Sequence, residues 1–459
     1  MKPSDCYRNI SCFKAYDIRG RVPEELNEDL AFAIGRAFAT FLKARHVVVG
    51  YDIRLSSMGI SDALSRGLCR SGVEVLDIGL CGTEEVYYAT GALNADGGIM
   101  VTASHNPADY NGMKLVQKQA RPISNDTGLQ EIQEIVQKGI FSESGRIGDL
   151  RRTSIRERYI AHILSYIEPD SLLPLKAVVN AGNGSAGPVI DILEKRLPIT
   201  LVKLQNEPDG SFPHGVPNPL LPENREKTAQ AVIEAGADIG IAWDGDFDRC
   251  FLFDEKGCFI EGYYVVGLLA QALLREREKP QKIIHDPRLI WNTREIVIRE
   301  GGIPIMAKTG HAFIKERMRS EDALYGGEMS GHHYFRAFNY CDSGMIPWLL
   351  VWQLMNSRGI SLSEMIGERK ELFPVSGEIN RKVSDPDAVL ARIENHFQDA
   401  VCKKDYTDGL SVTCENFRIN VRKSNTEPLL RLNIESRGDR KLLKEKTAEL
   451  LAMIDENIH

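Results

Sequence analysis

The sequence predicts an α/β fold of several domains, completed by a smaller α+β domain at the C-terminal end. Three observations carry this prediction. Strand and helix patterns alternate through most of the 459 residues, a polar glycine-rich loop follows a strand pattern three times, and the pattern changes after Phe373. Such alternation indicates a largely parallel or mixed sheet covered by helices. At roughly 100–200 residues per domain, the length fits three or four domains.

The α/β part begins with an amphipathic helix followed by a strand. Residues 25–45 place their apolar side chains near the helical period of about 3.6 residues. H-V-V-V-G-Y-D (46–52) is then a β-branched run that ends in a turn signal. The order of the two patterns is typical of an α/β unit.

A weak internal repeat extends this unit. Three apolar runs precede helix patterns, and each is followed downstream by a strand that enters a polar loop. The runs are V-V-V-G-Y-D-I-R (47–54), A-V-V-N-A-G-N-G (177–184) and I-I-H-D-P-R-L-I (283–290), and the loops lie within 98–107, 239–249 and 324–332. Any α/β protein contains such runs, so the pattern alone leaves a duplication open.

The C-terminal segment has a different order of elements. After a strand near Phe373, we expect a helix over 386–400, strands over 411–422 and 429–436, and a helix over 440–458. Polar stretches at 142–152, 254–257 and 368–373 are the expected boundaries. They divide the chain into domains at 1–150, 151–255, 256–369 and 370–459. Five prolines within 208–222 predict an irregular surface loop on the second domain.

Composition excludes several classes of protein. Hydrophobic residues make up 43% and charged residues 26%, which are globular values, and the net charge of −7 argues against a nucleic-acid partner. The apolar runs at 262–274 and 345–355 are shorter than the about 20 residues that span a bilayer, and the N-terminus lacks a signal-peptide pattern. Nine scattered cysteines without a C-x-x-C pair predict reduced thiols, no disulfide framework and a cytoplasmic location.

The first polar loop, T-A-S-H-N-P (102–107), exposes a serine just after a strand. Pro107 restricts Asn106 and fixes the turn. A hydroxyl nucleophile needs a nearby base and anion-binding groups, and His105 and Lys114 are the local candidates. Taken alone, the segment also fits an ordinary polar turn.

The second loop, D-G-D-F-D-R (244–249), places three carboxylates at alternate positions of a tight turn. Asp244, Asp246 and Asp248 can converge on one hard cation, and oxygen ligands with room for a phosphate oxygen suit Mg²⁺. An EF-hand is excluded because Arg249 occupies the glycine position and strand patterns flank the loop. The phosphatase pattern with an aspartate nucleophile needs Thr or Val where Asp248 stands. A solvated turn is the other interpretation.

The remaining two loops carry groups that bind sugars and phosphates. In G-E-M-S-G-H (327–332), Glu328 and Ser330 can bind sugar hydroxyls and His332 can move protons. K-T-G-H (308–311) adds another lysine and histidine. R-K-S-N-T-E-P (422–428) combines a guanidinium, hydroxyls and an amide, which together can hold a phosphate. Each loop alone is also compatible with a plain turn.

The four loops together form a set that moves phosphoryl groups on a sugar. In this order, and with A-Y-D-I-R-G (15–20) near the N-terminus, the sequence resembles the α-D-phosphohexomutase family over essentially its whole length. It is closest to the bacterial phosphomannomutase/phosphoglucomutase group. The resemblance implies four domains around a central cleft, three similar mixed α/β domains and a smaller C-terminal α+β domain.

The resemblance also implies a role for each candidate residue. Ser104 would be carried as a phosphoserine, and its phosphate would hold Mg²⁺ together with Asp244, Asp246 and Asp248. Proton transfer would fall to Lys114, His105 or His332, with Arg19 assisting; which of them is acid and which is base stays open. The implied substrate-binding residues are Tyr16, Arg249, Arg288, His311, Glu328, Ser330, Arg422, Ser424, Asn425 and Thr426.

The implied reaction interconverts mannose 6-phosphate and mannose 1-phosphate through a hexose 1,6-bisphosphate. Mg²⁺ would be the cofactor and the bisphosphate the activator, and the product would supply GDP-mannose for surface polysaccharide. Met329 within G-E-M-S-G-H resembles the mannose-specific members of the family, and the resemblance therefore favours mannose as the substrate. Three alternatives remain: a glucose-preferring or dual-specificity mutase, a Mg²⁺-dependent sugar phosphatase, and a silent sugar-phosphate binder. A hexose phosphate is the expected partner, without nucleic acid or membrane, and the oligomeric state is left open.

Overall fold

The computed structural model describes residues 10–275, 277–398, 401–423 and 429–455. Two compact units divide the chain. Unit 1 holds Met1–Phe259 and Ser330–Arg358, and unit 2 holds Ile260–Met329 and Gly359–His459. Every helix within the described ranges is too short or too polar to span a lipid bilayer.

The first segment of unit 1 contains seven strands and four α-helices. In chain order they are β1 (Ile18–Arg21), α1 (Glu28–Leu42), β2 (His46–Tyr51), α2 (Ser57–Arg70), β3 (Glu74–Leu80), α3 (Thr83–Ala92), β4 (Gly97–Val101), β5 (Tyr110–Gln117), β6 (Arg121–Pro122), α4 (Leu129–Lys138) and β7 (Leu150–Arg152). The sheet order is β1-β5-β4-β2-β3-β7, with β6 beside β5. Strands β2, β3, β4 and β7 are parallel, and β5 is antiparallel to β1, β4 and β6. The mixed α/β prediction is confirmed.

Helix α1 is shorter at both ends than its apolar pattern. The side chain of Asn27 accepts a hydrogen bond from the backbone N–H of Leu30 at 3.0 Å, which starts the helix at Glu28. At the other end Lys43 adopts a left-handed conformation with φ of 50°, which stops the helix after Leu42. Capping, and not hydrophobic periodicity, sets these bounds.

A second mixed sheet follows in unit 1. Its elements are α5 (Arg156–Leu164), β8 (Leu175–Asn180), α6 (Gly187–Glu194), β9 (Ile199–Leu204), α7 (Glu226–Ala235), β10 (Ile239–Trp243) and β11 (Cys250–Asp254). Strand β8 is parallel to β9 and β10, and β10 and β11 form an antiparallel hairpin. The proline-rich segment is irregular as predicted. Several of its residues are exposed, as expected of a surface loop, but Phe212 is only 6% exposed and packs inward.

The third α/β segment is shared by the two units. Unit 2 holds α8 (Gly262–Leu274), β12 (Lys282–His285), α9 (Trp291–Arg299), β13 (Ile303–Met306), α10 (His311–Glu321) and β14 (Tyr325–Gly327). In this group, β12 is parallel to both β13 and β14. Unit 1 holds β15 (His333–Phe335), β16 (Cys341–Asp342) and α11 (Ile346–Arg358), with β15 and β16 antiparallel.

The C-terminal part of unit 2 is the predicted α+β domain. After α12 (Leu362–Leu372), which precedes it, this domain contains β17 (Ile379–Lys382), α13 (Pro386–His396), β18 (Lys403–Asp405), β19 (Leu410–Thr413), β20 (Phe417–Lys423), β21 (Leu429–Ser436) and α14 (Arg440–Asp455). The sheet order is β17-β21-β20-β19-β18, antiparallel throughout. The single strand expected over 411–422 is wrong. A tight turn, in which Cys414 N donates to Phe417 O at 3.0 Å, divides that stretch into β19 and β20.

The prediction that the cysteines are reduced thiols is wrong for one pair. Lys403 pairs with Thr413 across β18 and β19, so the next residues outward, Cys402 and Cys414, face each other. They form a disulfide with their Cα atoms 4.3 Å apart. A separation of 12 residues without a C-x-x-C motif gave no sign of this pairing. The other described cysteines are free, and all but Cys258 are buried.

Candidate active site

The serine loop, residues 102–107, follows β4 in unit 1. Ser104 is 1% exposed and has a left-handed backbone with φ of 51°, a conformation that non-glycine residues seldom adopt. Its Oγ donates to Asp244 Oδ2 at 2.7 Å and lies 3.1 Å from His105 Nδ1. The hydroxyl predicted to be the nucleophile therefore contacts a predicted metal ligand and a predicted proton-transfer group.

The aspartate loop, residues 244–249, connects β10 to β11. Asp244, Asp246 and Asp248 are each at most 2% exposed, and each offers an oxygen within 4.8 Å of the others'. Among the described residues, Oδ1 of each aspartate is buried without a hydrogen-bond partner. Buried carboxylate oxygens without donors are costly, so this set fits a hard divalent cation such as Mg²⁺.

Lys114 on β5 is the cation closest to two of these aspartates. Its Nζ donates to Asp246 Oδ2 at 2.7 Å and also contacts Asp248 Oδ2. Burial lowers the pKa of Lys114, but the two carboxylates outweigh burial and raise it overall. Burial raises the pKa of Asp244 to about 6, although Arg249 opposes this. Burial acts to raise the pKa of Asp248 as well. The neighbouring cations, of which Lys114 has the largest effect, nevertheless hold the pKa of Asp248 well below its usual range.

Arg249 connects the aspartate loop to the serine loop. Its Nε lies 3.2 Å from Asp244 Oδ2, and its Nη2 contacts His105 Nδ1. The guanidinium, followed by burial, lowers the pKa of His105 well below its usual value. His105 is therefore a neutral imidazole beside the Ser104 hydroxyl at neutral pH.

Arg19 on β1 contacts the serine loop from another strand. Its Nη1 donates to the carbonyl of Ala103 at 2.7 Å and contacts the side chain of Asn106. Asp17 lies 2.9 Å from its Nε and holds the guanidinium in place. Tyr16, from the same N-terminal signature, is half-buried just before β1.

His332 and Ser330 also lie in unit 1, although the sequence places them beside Glu328. His332 Nδ1 lies 3.1 Å from Ser330 Oγ, and its Nε2 lies 3.6 Å from Asp248 Oδ1. The backbone of His332 forms an isolated antiparallel bridge with Arg249. Unit 1 thus brings together the catalytic and metal-binding candidates and some of the substrate-binding ones, namely Arg19, Ser104, His105, Lys114, Asp244, Asp246, Asp248, Arg249, Ser330 and His332.

Unit 2 contains a separate group of cations, the arginine cluster of Arg288, Arg422 and Arg431. All three contact Glu378: Nη1 of Arg288 lies 3.3 Å from it, Nη2 of Arg422 2.9 Å and Nη1 of Arg431 3.4 Å. Arg288 also holds Asp286 through its Nε at 2.8 Å. Three guanidiniums around one partly exposed carboxylate form a place where a phosphate dianion can bind.

Two other candidates of unit 2, Glu328 and His311, lie at the start of α10. Glu328 is 3% exposed and accepts a hydrogen bond from the backbone N–H of Gly310 at 2.7 Å. His311 is the first residue of α10 and is half-buried. Ser424, Asn425 and Thr426, which the sequence assigns to phosphate binding, lie outside the described residues.

Sequence reasoning missed several polar residues of these two sites. Thr83, at the start of α3, contacts Asp246 Oδ2 through its hydroxyl, and its N–H donates to the Asp246 carbonyl at 3.1 Å. Asp342 places a carboxylate oxygen within 4.8 Å of ligand atoms of Asp248 and His332. Glu378 joins the arginines of unit 2. Thr83 follows a strand pattern, which was a usable signal, but Glu378 and Asp342 stand in segments without a motif.

Known proteins match this chain over nearly its full length. Family models describe the domains of phosphoglucomutase/phosphomannomutase: α/β/α domain I matches residues 11–143, domain II 157–257, domain III 261–373 and the C-terminal domain 378–453. A phosphomannomutase of Salmonella montevideo is 59% identical over 455 residues, covering 97% of this chain and 99% of that protein.

Two further relatives agree with this match. A protein of Xanthomonas campestris named "Phosphohexose mutases" is 58% identical over 441 residues, covering 96% of this chain and 98% of that protein. The crystal structure of a phosphoglucomutase/phosphomannomutase family protein from Burkholderia thailandensis has a TM-score of 0.86 and 32% identity, covering 97% of this chain and 98% of the other. The chain therefore belongs to the phosphoglucomutase/phosphomannomutase family of phosphohexomutases, which are isomerases.

Proposed function

We propose that this protein is a phosphomannomutase that carries its phosphoryl group on Ser104. The phosphoserine gives its phosphoryl group to the free hydroxyl of mannose 6-phosphate or mannose 1-phosphate. The hydroxyl proton leaves to a base, and Ser104 Oγ takes up a proton as the leaving group. The resulting mannose 1,6-bisphosphate turns around and returns its other phosphoryl group to Ser104. Phosphate is conserved at each step, so no other phosphate donor is consumed.

One observation carries this proposal: the Ser104 hydroxyl lies 2.7 Å from Asp244, next to three buried carboxylates with unpartnered oxygens. A serine in an ordinary turn would not face buried anions that need a cation. Asp244, Asp246, Asp248 and the serine phosphate would hold Mg²⁺. When bound, this ion offsets negative charge on the transferring phosphoryl group.

The chain's own cations and bases complete the reaction site. Arg249 and Lys114 stabilise the negative charge that is redistributed during transfer. His105, with Nδ1 at 3.1 Å from Ser104 Oγ, is placed to exchange a proton with that hydroxyl. Arg19 keeps the serine loop in position through Ala103 and adds positive charge. Lys114 or His332 would exchange a proton with the substrate hydroxyl.

Substrate recognition is assigned to further residues as part of the proposal. Arg288 and Arg422 would bind the phosphate that does not react. This phosphate would replace the Glu378 carboxylate as their partner. Glu328 and Ser330 would bind sugar hydroxyls. Tyr16, His311, Ser424, Asn425 and Thr426 would make the remaining substrate contacts.

Mannose is the proposed substrate because the Salmonella montevideo relative is named a phosphomannomutase and Met329 favours that group. The name "Phosphohexose mutases" of the Xanthomonas campestris relative supports a second candidate, a mutase that also accepts glucose phosphates. The comparisons give no support to a sugar phosphatase.

The wider setting is proposed on the same basis. A hexose 1,6-bisphosphate would activate the enzyme by phosphorylating Ser104, and mannose 1-phosphate would supply GDP-mannose synthesis for polysaccharide. A cytoplasmic location is proposed from the six free thiols among the described cysteines, although Cys402 and Cys414 form a disulfide. The domain boundaries at 150, 255 and 369 stay a prediction.

A substrate-pair assay on phosphorylated enzyme tests the proposal. We expect turnover of mannose 6-phosphate to exceed that of glucose 6-phosphate, and intact mass with peptide mapping to place one phosphate on Ser104. Ser104→Ala should lose at least about 10⁴-fold in kcat, whereas Ser142→Ala, at an exposed serine of the same unit, should not change it. Equal or better turnover of glucose 6-phosphate would replace mannose by the second candidate. An unphosphorylated Ser104, or net phosphate release without isomerisation, would reject the mutase mechanism.

A further inference from the structure

The run V-V-V-G-Y-D-I-R (47–54) has no part in the reaction proposed above, although it ends in two buried charged residues. Asp52 and Arg54 follow β2 and are each 2% exposed. We propose that Arg54 is a positioning residue that holds the serine loop in its reactive conformation, with Asp52 and Thr102 as its partners. This inference rests on the proposed function of Ser104 as the phosphoryl carrier.

Arg54 binds four backbone carbonyls at the serine loop and just beyond it. Its Nη2 donates to the carbonyls of Ser104 at 2.8 Å and Asn106 at 2.6 Å. Its Nη1 donates to those of Pro107 at 2.6 Å and Tyr110 at 2.9 Å. A planar guanidinium has five N–H donors spread over a rigid fork, whereas a lysine ammonium has three donors on one nitrogen and cannot reach four separate carbonyls. The four carbonyls therefore require an arginine at this position.

The same pair also holds the amide side of Ser104. The N–H of Ser104 donates to Thr102 Oγ1 at 2.9 Å, and this hydroxyl donates to Asp52 Oδ2 at 2.7 Å. Asp52 Oδ2 in turn lies 3.4 Å from Arg54 Nε. Both peptide groups of Ser104 are thus fixed, the N–H through Thr102 and the carbonyl through Arg54.

This double attachment explains how Ser104 keeps an unfavourable backbone. A left-handed serine is strained and persists only where its surroundings determine it. The attachment keeps Oγ directed at Asp244, and it prevents the Ser104 carbonyl from turning toward an incoming phosphate dianion, which would repel it. The loop therefore meets its substrate already in the reactive conformation, which lowers the reorganisation needed during transfer.

A second segment that the sequence singled out covers Arg54. The ring of Phe212, in the proline-rich loop, lies 5.5 Å from the Arg54 guanidinium carbon and is 6% exposed. Beside it, a Cβ added to Gly210 would come within 2.1 Å of the Ile53 carbonyl, so the loop packs directly on the backbone before Arg54. Water is excluded from the guanidinium, and its hydrogen bonds to the serine loop have no competitor.

The test compares Arg54→Lys with Arg369→Lys, a matched buried arginine. Arg369 is 4% exposed and bonds Asn292 and Glu295, far from the serine loop in sequence. We expect both variants to melt at lower temperature. Only Arg54→Lys should lose kcat, by about 10²-fold with KM within about twofold of wild type, because a small misplacement of reacting groups has an effect of that size. The rate of Ser104 phosphorylation by glucose 1,6-bisphosphate should fall in parallel.

A second pair keeps the inference testable if Arg54→Lys does not fold. Thr102→Val removes the hydroxyl that holds the Ser104 amide and should lower kcat by about tenfold or more, whereas Thr102→Ser retains the hydroxyl and should restore most of it. Wild-type kcat in folded Arg54→Lys, or in Thr102→Val where Arg54→Lys does not fold, would overturn the positioning role. So would equal losses in the Arg54 and Arg369 variants. Phosphorylation of Ser104 in the wild-type protein is measured first. If Ser104 takes up no phosphate there, the proposed function fails and not the positioning role of Arg54.

Discussion

The reaction site of unit 1 and the arginine cluster of unit 2 differ in how far their ion pairs are exposed to solvent. In unit 1, Lys114 and the three aspartates are at most 7% exposed, and each cation is fixed against a carboxylate. In unit 2, Arg422 and Arg431 share Glu378, whose side chain is 26% exposed. The first arrangement is rigid and excludes water, and the second is open to exchange.

This difference follows from what each site has to do. Chemistry on a phosphoryl group gains most from charges that are already in place, because a dry and fixed environment strengthens them. Binding a phosphate that must later leave needs counter-charges that are also satisfied when the phosphate is absent. Glu378 can supply that charge, since a carboxylate and a phosphate oxygen offer similar acceptors to a guanidinium.

The larger of two effects on activity is expected in the reaction site of unit 1, called here the fixed site. Asp244→Asn removes a buried metal-binding charge and weakens the acceptor of the Ser104 hydroxyl. We expect kcat to fall by about 10³-fold and the Mg²⁺ concentration for half-maximal activity to rise. A magnesium titration of mutase activity, with isothermal calorimetry of Mg²⁺ binding, measures both.

Asp191→Asn is the control, because this aspartate lies in the same unit on α6 with a side chain 42% exposed. It should leave activity and magnesium dependence unchanged. If Asp244→Asn retained the wild-type magnesium dependence, the aspartate loop would not be the metal site, and the contrast between the two units would lose its basis.

A smaller effect on activity is expected at the arginine cluster of unit 2. Glu378→Gln removes the carboxylate that competes with phosphate for Arg288 and Arg422. Partly exposed ion pairs contribute roughly 0.2–1 kcal/mol, so KM for mannose 6-phosphate should fall by up to about fivefold with little change in kcat. Steady-state kinetics at several salt concentrations measure this, and the difference from wild type should shrink as salt rises.

Arg422→Met is the opposite substitution in the same cluster. It should raise KM by about tenfold or more, because a desolvated phosphate loses a charge-assisted partner. A KM that rises in Glu378→Gln as well would mean that Glu378 orients the arginines and does not compete with phosphate. The cluster would then resemble the fixed site of unit 1.

The fold and the reactive loops were predictable because their signals are local. Strand–helix alternation and the four polar loops are contiguous in sequence, so Ser104 and the three aspartates stand out without a structure. The helix bounds were less predictable because they depend on single caps such as Asn27. The turn that separates β19 from β20 was hidden because it depends on one local hydrogen bond, from Cys414 N to the Phe417 carbonyl.

The residues that support the loops were not predictable, because their partners are remote in the chain. Thr83 contacts Asp246 across 163 positions, and Arg288 contacts Glu378 across 90. Thr83 was marked only by its place after a strand pattern, and Glu378 stands in a segment without a motif. Buried hydrogen bonds of this kind are set by packing between distant elements, and only the folded chain brings the partners together.

The last expected effect is on stability and not on turnover, and it concerns Glu84, another buried support of unit 1. Glu84 is fully buried and accepts hydrogen bonds from Tyr159 and from the backbone N–H groups of Gly344 and Met345. Gly344 packs on the aspartate loop, since a Cβ added there would lie 2.4 Å from the Phe247 carbonyl. Glu84 therefore supports the fixed site without touching its charges.

Burial raises the pKa of Glu84 from 4.5 to about 8, so the folded protein binds this proton more tightly than the unfolded chain. The associated stability is complete below about pH 4.5 and is lost as pH rises to about 8. Glu84→Gln cannot titrate, so the unfolding free energy of wild type minus that of the variant should decrease from pH 5.5 to 8, by up to about 3 kcal/mol. Urea unfolding at several pH values measures this difference, with Glu131→Gln as the control for an exposed glutamate. A difference that stays constant with pH would show that Glu84 does not titrate in this range. The support that Glu84 gives to the fixed site would then be independent of pH.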